Sequence, residues 1–95
     1  MKNEYQNDII GRIRKLREER GYTQSKIADI IGISNGQMGN IESPKTPHKY
    51  TLAHIHNICK EFNIPIEQIF LDDNDYAKNI DLINLLIEKI IEYEG

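Results

Sequence analysis

Three amide side chains stand close together in one short segment of the chain: Asn35, Gln37 and Asn40. A side-chain amide presents a hydrogen-bond donor beside an acceptor, and this pair matches the edge of adenine in the major groove of DNA. Each such pairing discriminates against a wrong base by about 1–3 kcal/mol. Gly36 and Gly39 lie between the amides. If the segment is helical, these five residues form its outward face, and we assign base reading to them.

Gly36 and Gly39 leave two interpretations open. A glycine inside a helix costs about 1 kcal/mol relative to alanine and offers no side chain to a base. The pair either lets the helix backbone approach DNA closely or gives a weak, plastic helix with limited specificity.

The other residues of metal-binding or catalytic type form no recognisable site. His54 and His56 are two apart on a predicted helix and face different directions, and no His or Cys pair completes a set of metal ligands. Cys59 is predicted to be a buried thiol. The acidic run 72–75 lacks the glycine and the closing glutamate of a calcium loop. We therefore expect no catalytic residue, no metal, no cofactor and no enzymatic activity.

Two short helices joined by a tight turn must hold the amides in place. Met38 and Ile41 give the second of these helices an inward apolar face. Gly32 can adopt the positive φ that ends the first helix abruptly. Thr23 and Ser34 are natural N-caps for the two helices. This is the sequence pattern of a helix-turn-helix, whose second helix can enter a major groove.

The chain as a whole is predicted to be all-α, because no stretch alternates convincingly enough for a strand. The helices are predicted at about 5–20, 24–31, 35–42, 52–62, 65–70 and 77–93. The expected organisation is a DNA-binding domain over 1–71, an acidic connector over 72–77 and a C-terminal amphipathic helix over 78–95 as the dimerisation element.

Motifs in the order and spacing of one family run along residues 9–71. They are IRKLREERGYTQ at 13–24, IADIIGIS at 27–34, IE at 41–42, ICKEFNI at 58–64 and IEQIF at 66–70. On these motifs the chain resembles the lambda-repressor-like (Cro/C1, or XRE) helix-turn-helix family. The resemblance implies a five-helix domain that binds operator DNA, usually as a dimer.

The resemblance also implies roles for residues at matching positions. Family members commonly touch the DNA backbone at the position of Gln24. Arg17 and Glu42 match a pair that joins the first helix to the end of the third. The resemblance implies that this pair orients the third helix and does not read a base. The family's base-reading positions fall on Asn35, Gly36 and Asn40.

Contacts to phosphate are expected at the start of the second helix and in the loop after the third. The residues assigned to them are Thr23, Gln24, Lys26, Ser43, Lys45 and Lys49. Such contacts fix the register of a protein on DNA and make binding salt-dependent. For the loop lysines the alternative is an ordinary solvated side chain. Ser43-Pro44 stand where the family usually has a glycine.

The last predicted helix carries more apolar surface than its own domain requires. Its apolar residues cover well over half of the circumference, whereas a helix lying on its own domain needs a stripe of only about 100°. The residues assigned to a dimer interface are Ile80, Ile83, Leu86, Ile87, Ile90 and Ile91. The alternative is that this helix packs deeply into its own domain.

Charge is unevenly distributed along the chain. Residues 1–49 carry a net charge of +3 and residues 50–95 a net charge of -6. A basic first half suits contact with nucleic acid, and the alternative is ordinary scatter of charge. The sequence has no apolar run of about 18 residues and no apolar signal region, and its single cysteine cannot form an internal disulfide. A cytoplasmic protein that does not span a membrane is expected.

These observations together predict a sequence-specific regulator of transcription that binds double-stranded DNA. We expect a homodimer on a near-palindromic operator. Repression by occluding a promoter is expected, because nothing in the sequence suggests an activation surface. The alternative is a protein-interaction module, such as an antitoxin or accessory regulator, whose C-terminal helix binds another protein.

Overall fold

The computed structural model describes residues 1–78 and 81–95, and these residues form seven helices and no strand. The helices are α1 (Glu4–Glu19), α2 (Gln24–Ile31), α3 (Asn35–Glu42), α4 (Leu52–Phe62), α5 (Glu67–Phe70), α6 (Asp73–Ala77) and α7 (Leu82–Glu94). The all-α prediction is confirmed, and α1 to α5 lie close to the five helices predicted for the DNA-binding domain.

Short polar residues determine where α2, α3 and α4 begin. Thr23, Ser34 and Thr51 each accept a hydrogen bond from the backbone N–H three residues further on, which satisfies a donor that the helix itself leaves free. Gly32 has a φ of 74° and ends α2, so the chain turns sharply into α3. The predicted caps and turn are confirmed.

The apolar faces of the first five helices meet in one hydrophobic core. Ile13 of α1, Ile27 of α2, Met38 of α3, Ile55 of α4 and Phe70 of α5 have no exposed surface. Burying an aliphatic or aromatic side chain of this size contributes about 1.5–3 kcal/mol. Because Met38 belongs to this core, the core sets the side of α3 that faces solvent.

The C-terminal part differs from its prediction. The connector expected over 72–77 contains α6, and the last helix begins at Leu82 rather than near residue 77. Asp72 and Asp81 explain both helix starts, because the carboxylate of each accepts hydrogen bonds from backbone N–H groups in the first turn that follows.

α7 packs one of its faces on the rest of the domain. Tyr93 is fully buried, and Leu86 and Ile90 are half-buried against the core. The sequence assigns Leu86 and Ile90 to an interface with another chain, but the structure gives them a place in their own domain. Ile80, another residue of the predicted interface, lies outside the described residues. The interpretation that this helix packs on its own domain therefore holds for one of its faces, and a dimer interface stays a prediction for the other.

Candidate nucleic-acid interface

The helix predicted to read bases, α3, turns its polar side to solvent. Met38 and Ile41 are buried on its inner side. On its outer side, Asn35, Gly36, Gln37 and Asn40 are exposed and Gly39 is half-buried. The helix, here called the recognition helix, thus has the inward and outward faces that its periodicity predicts, while base reading itself stays a prediction.

The three amides of the recognition helix differ in how far the fold already uses them. The Gln37 side-chain oxygen accepts from the backbone N–H of Ser34 at 3.0 Å, completing a capping box. The Ser25 hydroxyl donates to Asn35 Oδ1 at 3.1 Å. Within residues 1–78 and 81–95, Asn40 accepts a side-chain hydrogen bond only at its backbone carbonyl, so its amide has no internal partner. Asn40 is therefore the amide best able to form both hydrogen bonds to a base.

Neither glycine of the recognition helix is required by packing within the chain. A Cβ at Gly39 would meet no atom within 4 Å, and a Cβ at Gly36 would meet only Ser34 Oγ, at 3.9 Å. Neither glycine has a positive φ. Alanine at either position would fit the fold, so a requirement for glycine would have to come from a bound partner.

A buried ion pair fixes the end of the recognition helix to α1. Arg17 Nε and Nη2 donate to the two carboxylate oxygens of Glu42 at 2.9 and 3.0 Å, and both side chains are buried. Arg17 Nη1 donates to the Tyr22 carbonyl at 2.7 Å. Gln24 Nε2 donates to Glu42 Oε1 at 2.9 Å, so this predicted phosphate contact also supports the pair. Two parallel charge-assisted hydrogen bonds give the pair a definite geometry, as an orienting role requires.

Four of the residues predicted to contact phosphate lie beside the recognition helix. Lys26 in the first turn of α2 and Lys45 in the loop after α3 are exposed. The Thr23 hydroxyl caps α2 by accepting from the Lys26 N–H at 3.1 Å. The Ser43 hydroxyl accepts from the Lys45 N–H at 3.3 Å. Both hydroxyls keep a donor for a phosphate oxygen.

Lys49, the sixth predicted phosphate contact, has a different partner in the structure. Its Nζ donates to the backbone carbonyls of Tyr93, at 3.1 Å, and Glu94, at 2.8 Å, where α7 ends. Carbonyls in the last turn of a helix lack partners within the helix and carry its negative dipole end, so they stabilise an ammonium group. The sequence gives no sign of this contact, because the partners lie 44 and 45 residues away.

The comparison of the sequence with family models agrees with this geometry. A model of the family described as "Helix-turn-helix domain" matches residues 10–75, which include α2, α3 and the turn between them. The chain belongs to this helix-turn-helix family. The resemblance drawn from the sequence motifs is thereby confirmed.

Two curated proteins that resemble this helix-turn-helix chain have regulatory names. The "Competence pilus inhibition repressor" of Acinetobacter baylyi is 36% identical over 74 residues, which cover 78% of this chain and 62% of the relative. The "HTH-type transcriptional regulator ImmR" of Bacillus subtilis is 29% identical over 83 residues, which cover 85% of this chain and 63% of the relative. The chain therefore spans less than two thirds of the length of these relatives. No solved structure gave a significant match.

Most of the cationic side chains in the first half of the chain have an acceptor within the chain. Of the nine Lys and Arg in residues 1–49, six contact acceptors within the chain: Lys2, Arg12, Arg14, Arg17, Arg20 and Lys49. In the part of the chain that the structure describes, Lys15, Lys26 and Lys45 make no such contact. Three of the nine cationic side chains in residues 1–49 are therefore without an internal acceptor among the described residues.

Sequence reasoning missed three buried residues that hold the loop after the recognition helix. Lys2 donates to the Ser43 carbonyl, and the Tyr93 hydroxyl donates to the Tyr50 carbonyl at 2.7 Å. These contacts join residues 41 and 43 positions apart. No local pattern marks them, because neither a lone lysine nor a tyrosine in an apolar helix face has a spacing that identifies its partner.

The residues of metal-binding or catalytic type remain apart from this interface. Burial raises the pKa of the Cys59 thiol to about 11, so it is protonated and a poor nucleophile at neutral pH. Across residues 1–78 and 81–95, no three His, Cys, Asp or Glu side chains come together as a metal site. No helix in the same residues is long and apolar enough to cross a membrane.

Proposed function

We propose that this protein is a sequence-specific DNA-binding regulator of transcription in the cytoplasm, and that it represses by occluding a promoter. The observation that carries the proposal is the exposed amide face of the recognition helix, oriented by the buried pair of Arg17 and Glu42. The printed names of the two relatives, a repressor and a transcriptional regulator, support the same function. The proposal includes no enzymatic activity, metal or cofactor.

Base reading in this proposal depends chiefly on Asn40, the amide without an internal partner among the described residues. Gln37 and Asn35 contribute from either side, and Gly36 and Gly39 let the helix backbone lie close to the base edges. Contacts to phosphate fix the register without reading sequence. They are assigned to Thr23, Gln24, Lys26, Ser43 and Lys45.

We further propose that the protein acts as a homodimer, because α7 exposes three isoleucines that its own domain does not cover. Ile83, Ile87 and Ile91 are 72%, 50% and 63% exposed. Their spacing of four residues aligns them as one ridge along the helix. Three large apolar side chains in a row on a surface indicate an association site more strongly than scattered ones do.

A groove next to this isoleucine ridge favours a second copy of the chain as the occupant. The groove has a volume of about 270 Å³ and is lined by Glu67, Leu71, Tyr76, Leu82, Ile83 and Leu86. A surface that carries a ridge beside a groove can pair with itself about a two-fold axis, as symmetric dimers require. Two ridges of this kind pack at a crossing angle of about −50° and a helix separation of about 8–10 Å.

A dimer also compensates for the small number of free lysines. It doubles the phosphate contacts and sets two recognition helices about 34 Å apart, on successive major grooves of one face of the DNA. The operator is then near-palindromic, because each protomer reads one half-site.

Equilibrium binding to DNA at several salt concentrations tests the proposed function. The full chain is titrated against a random duplex and against a duplex recovered by selection, with fluorescence anisotropy as the readout. With Lys26 and Lys45 of both protomers at phosphates, log K should fall with log salt with a slope of about −4. The selected duplex should bind more tightly at every salt concentration.

Absence of binding at low salt would contradict the proposal. In that case the exposed ridge of α7 would favour the second candidate, a protein-interaction module. Sedimentation of the full chain then distinguishes two kinds of partner. A dimer would indicate a second copy of the chain on the ridge, and a monomer would indicate a different protein.

A further inference from the structure

The end of α7 contacts the loop that follows the recognition helix. The Tyr93 hydroxyl donates to the Tyr50 carbonyl at 2.7 Å, and neither tyrosine has exposed surface. From the neighbouring loop position, Lys49 Nζ donates to the carbonyls of Tyr93 and Glu94 and lies 5.2 Å from the centre of the Tyr93 ring. Two adjacent loop residues are therefore held by the same turn of α7.

The same loop contacts the recognition helix. The Tyr50 hydroxyl lies 3.8 Å from Met38 Sδ, on the buried side of α3. The Thr46 hydroxyl donates to the carbonyl of Asn40, and Lys2 Nζ lies 3.5 Å from Thr46 Oγ1. A series of contacts thus runs from α7 through the loop to a buried side chain and to a backbone carbonyl of α3.

We propose that Lys49 and Tyr93 are positioning residues for the recognition helix. By holding the loop over 43–50, the end of α7 keeps Met38 and Asn40 in the orientation that DNA binding uses. This role replaces the phosphate contact that the sequence predicts for Lys49, and it rests on the proposed function. It also gives α7 a task within its own protomer, separate from the isoleucine ridge on its outer face.

The hydrogen bonds that Lys49 and Tyr93 form between α7 and the loop are of a stable kind. Hydrogen bonds from an ammonium group are about twice as strong as those between neutral groups. Burial raises the pKa of both Tyr50 and Tyr93 well above its ordinary value, so the two hydroxyls remain protonated donors at physiological pH. The hydrogen bond from Tyr93 to the Tyr50 carbonyl should therefore persist at physiological pH.

Loss of the support should reduce the fraction of molecules with a correctly oriented recognition helix. The apparent affinity of a protein falls in proportion to its binding-competent fraction. A competent fraction of about one fifth gives about a fivefold loss of affinity for the selected duplex, and the salt dependence stays the same because no phosphate contact is lost.

A pair of matched variants tests this role of Lys49 on the full chain. Lys49→Met and Lys45→Met each remove one positive charge from the same loop and keep the aliphatic stem. Lys49→Met should weaken binding to the selected duplex about fivefold without changing the salt slope. Lys45→Met should weaken binding on every duplex and make the slope shallower by about 1 for each protomer.

Amide chemical shifts of the free protein provide a readout that does not depend on DNA. Lys49→Met should move the Met38 and Asn40 resonances in ¹⁵N-labelled protein, whereas Lys45→Met should leave them in place. Tyr93→Phe removes only a hydroxyl and should shift the same resonances. If circular dichroism finds Lys49→Met unfolded, the Tyr93→Phe measurements decide the inference.

The inference is overturned if Lys49→Met changes the salt slope as Lys45→Met does. Unchanged Met38 and Asn40 resonances in folded Lys49→Met or Tyr93→Phe would overturn it as well. These outcomes would leave the proposed function intact. If the proposed function were wrong, the wild-type chain itself would not bind DNA.

Discussion

Asn40 is the amide of the recognition helix that has no internal side-chain partner among the described residues. Asn40→Ala removes a donor and acceptor pair aimed at solvent and leaves the core intact. We expect a loss of about 1–3 kcal/mol in discrimination at one base pair of each half-site. Competition binding with duplexes substituted at single positions measures this loss.

Lys45→Ala is the control for Asn40→Ala, because Lys45 is assigned to phosphate and not to a base. It should weaken binding by a similar factor on all duplexes. If Asn40→Ala also weakens binding equally on all duplexes, the base-reading role of Asn40 is refuted.

Substitution of Gly36 or Gly39 by alanine should stabilise the fold and weaken DNA binding. A Cβ at either position meets no close atom of the chain, so Gly36→Ala and Gly39→Ala should each raise the free energy of unfolding by about 1 kcal/mol. The added methyl groups lie on the face proposed to approach DNA, so affinity for the selected duplex should fall. Urea unfolding and anisotropy titration measure the two effects.

Unchanged or improved binding by the stabilised glycine variants would contradict close approach of the helix backbone to DNA. The weak-helix interpretation would then explain both glycines, because a stiffer recognition helix would bind DNA at least as well.

The helices of the helix-turn-helix could be predicted from the sequence because their signals are local. Thr23, Ser34 and Gly32 each act within three or four residues of their own positions. Near the C-terminus the prediction is wrong although the signals are equally local. Asp72 caps a helix inside the expected connector, and Asp81 starts the last helix inside the span predicted to be helical. Apolar periodicity dominated the prediction there.

His54 offers a test of one capping box by pH. Its Nδ1 accepts from the backbone N–H of Thr51 at 3.1 Å, which requires an unprotonated Nδ1. Burial lowers the pKa of His54 below its ordinary 6.5, so the unfolded chain binds the proton more readily than the folded one. Stability from this residue is therefore present above pH 6.5 and is lost as the pH falls below that value.

Urea unfolding between about pH 7.5 and about pH 5.5 measures this effect. His54→Gln keeps a capping-box acceptor that does not titrate, and its stability should change less over this interval. An equal change in the wild type and in His54→Gln would contradict the assignment.

At the scale of the whole molecule, the two faces of α7 differ in their exposure to solvent. The sequence predicts an excess of apolar surface on this helix, and Ile83, Ile87 and Ile91 carry it. It could not separate these residues from Leu86 and Ile90, because apolar residues surround most of the helix. Only the packing of α7 on its own domain distinguishes the two faces.

Ile87→Glu tests the proposed dimer at the middle of the isoleucine ridge. Ile87 is half exposed, so the substitution should be tolerated by the folded protomer, while two carboxylates at a two-fold contact would repel each other. We expect a monomer by sedimentation velocity and much weaker binding to a two-half-site duplex. Asn57→Glu adds the same charge on an exposed position of α4 and should remain dimeric.

A dimer that survives Ile87→Glu would place the main interface elsewhere. Conversely, a monomeric variant with full affinity for the two-half-site duplex would mean that the protomers bind independently.

Selection of bound sequences from a random duplex pool tests the central claim most directly. The full wild-type chain and Asn40→Ala are carried through the same selection, and the enriched sequences are compared. The account predicts a motif of two inverted half-sites about 10 base pairs apart from centre to centre, with one position in each half-site relaxed in Asn40→Ala. A wild-type pool without an enriched motif, or an identical motif for both proteins, would contradict it.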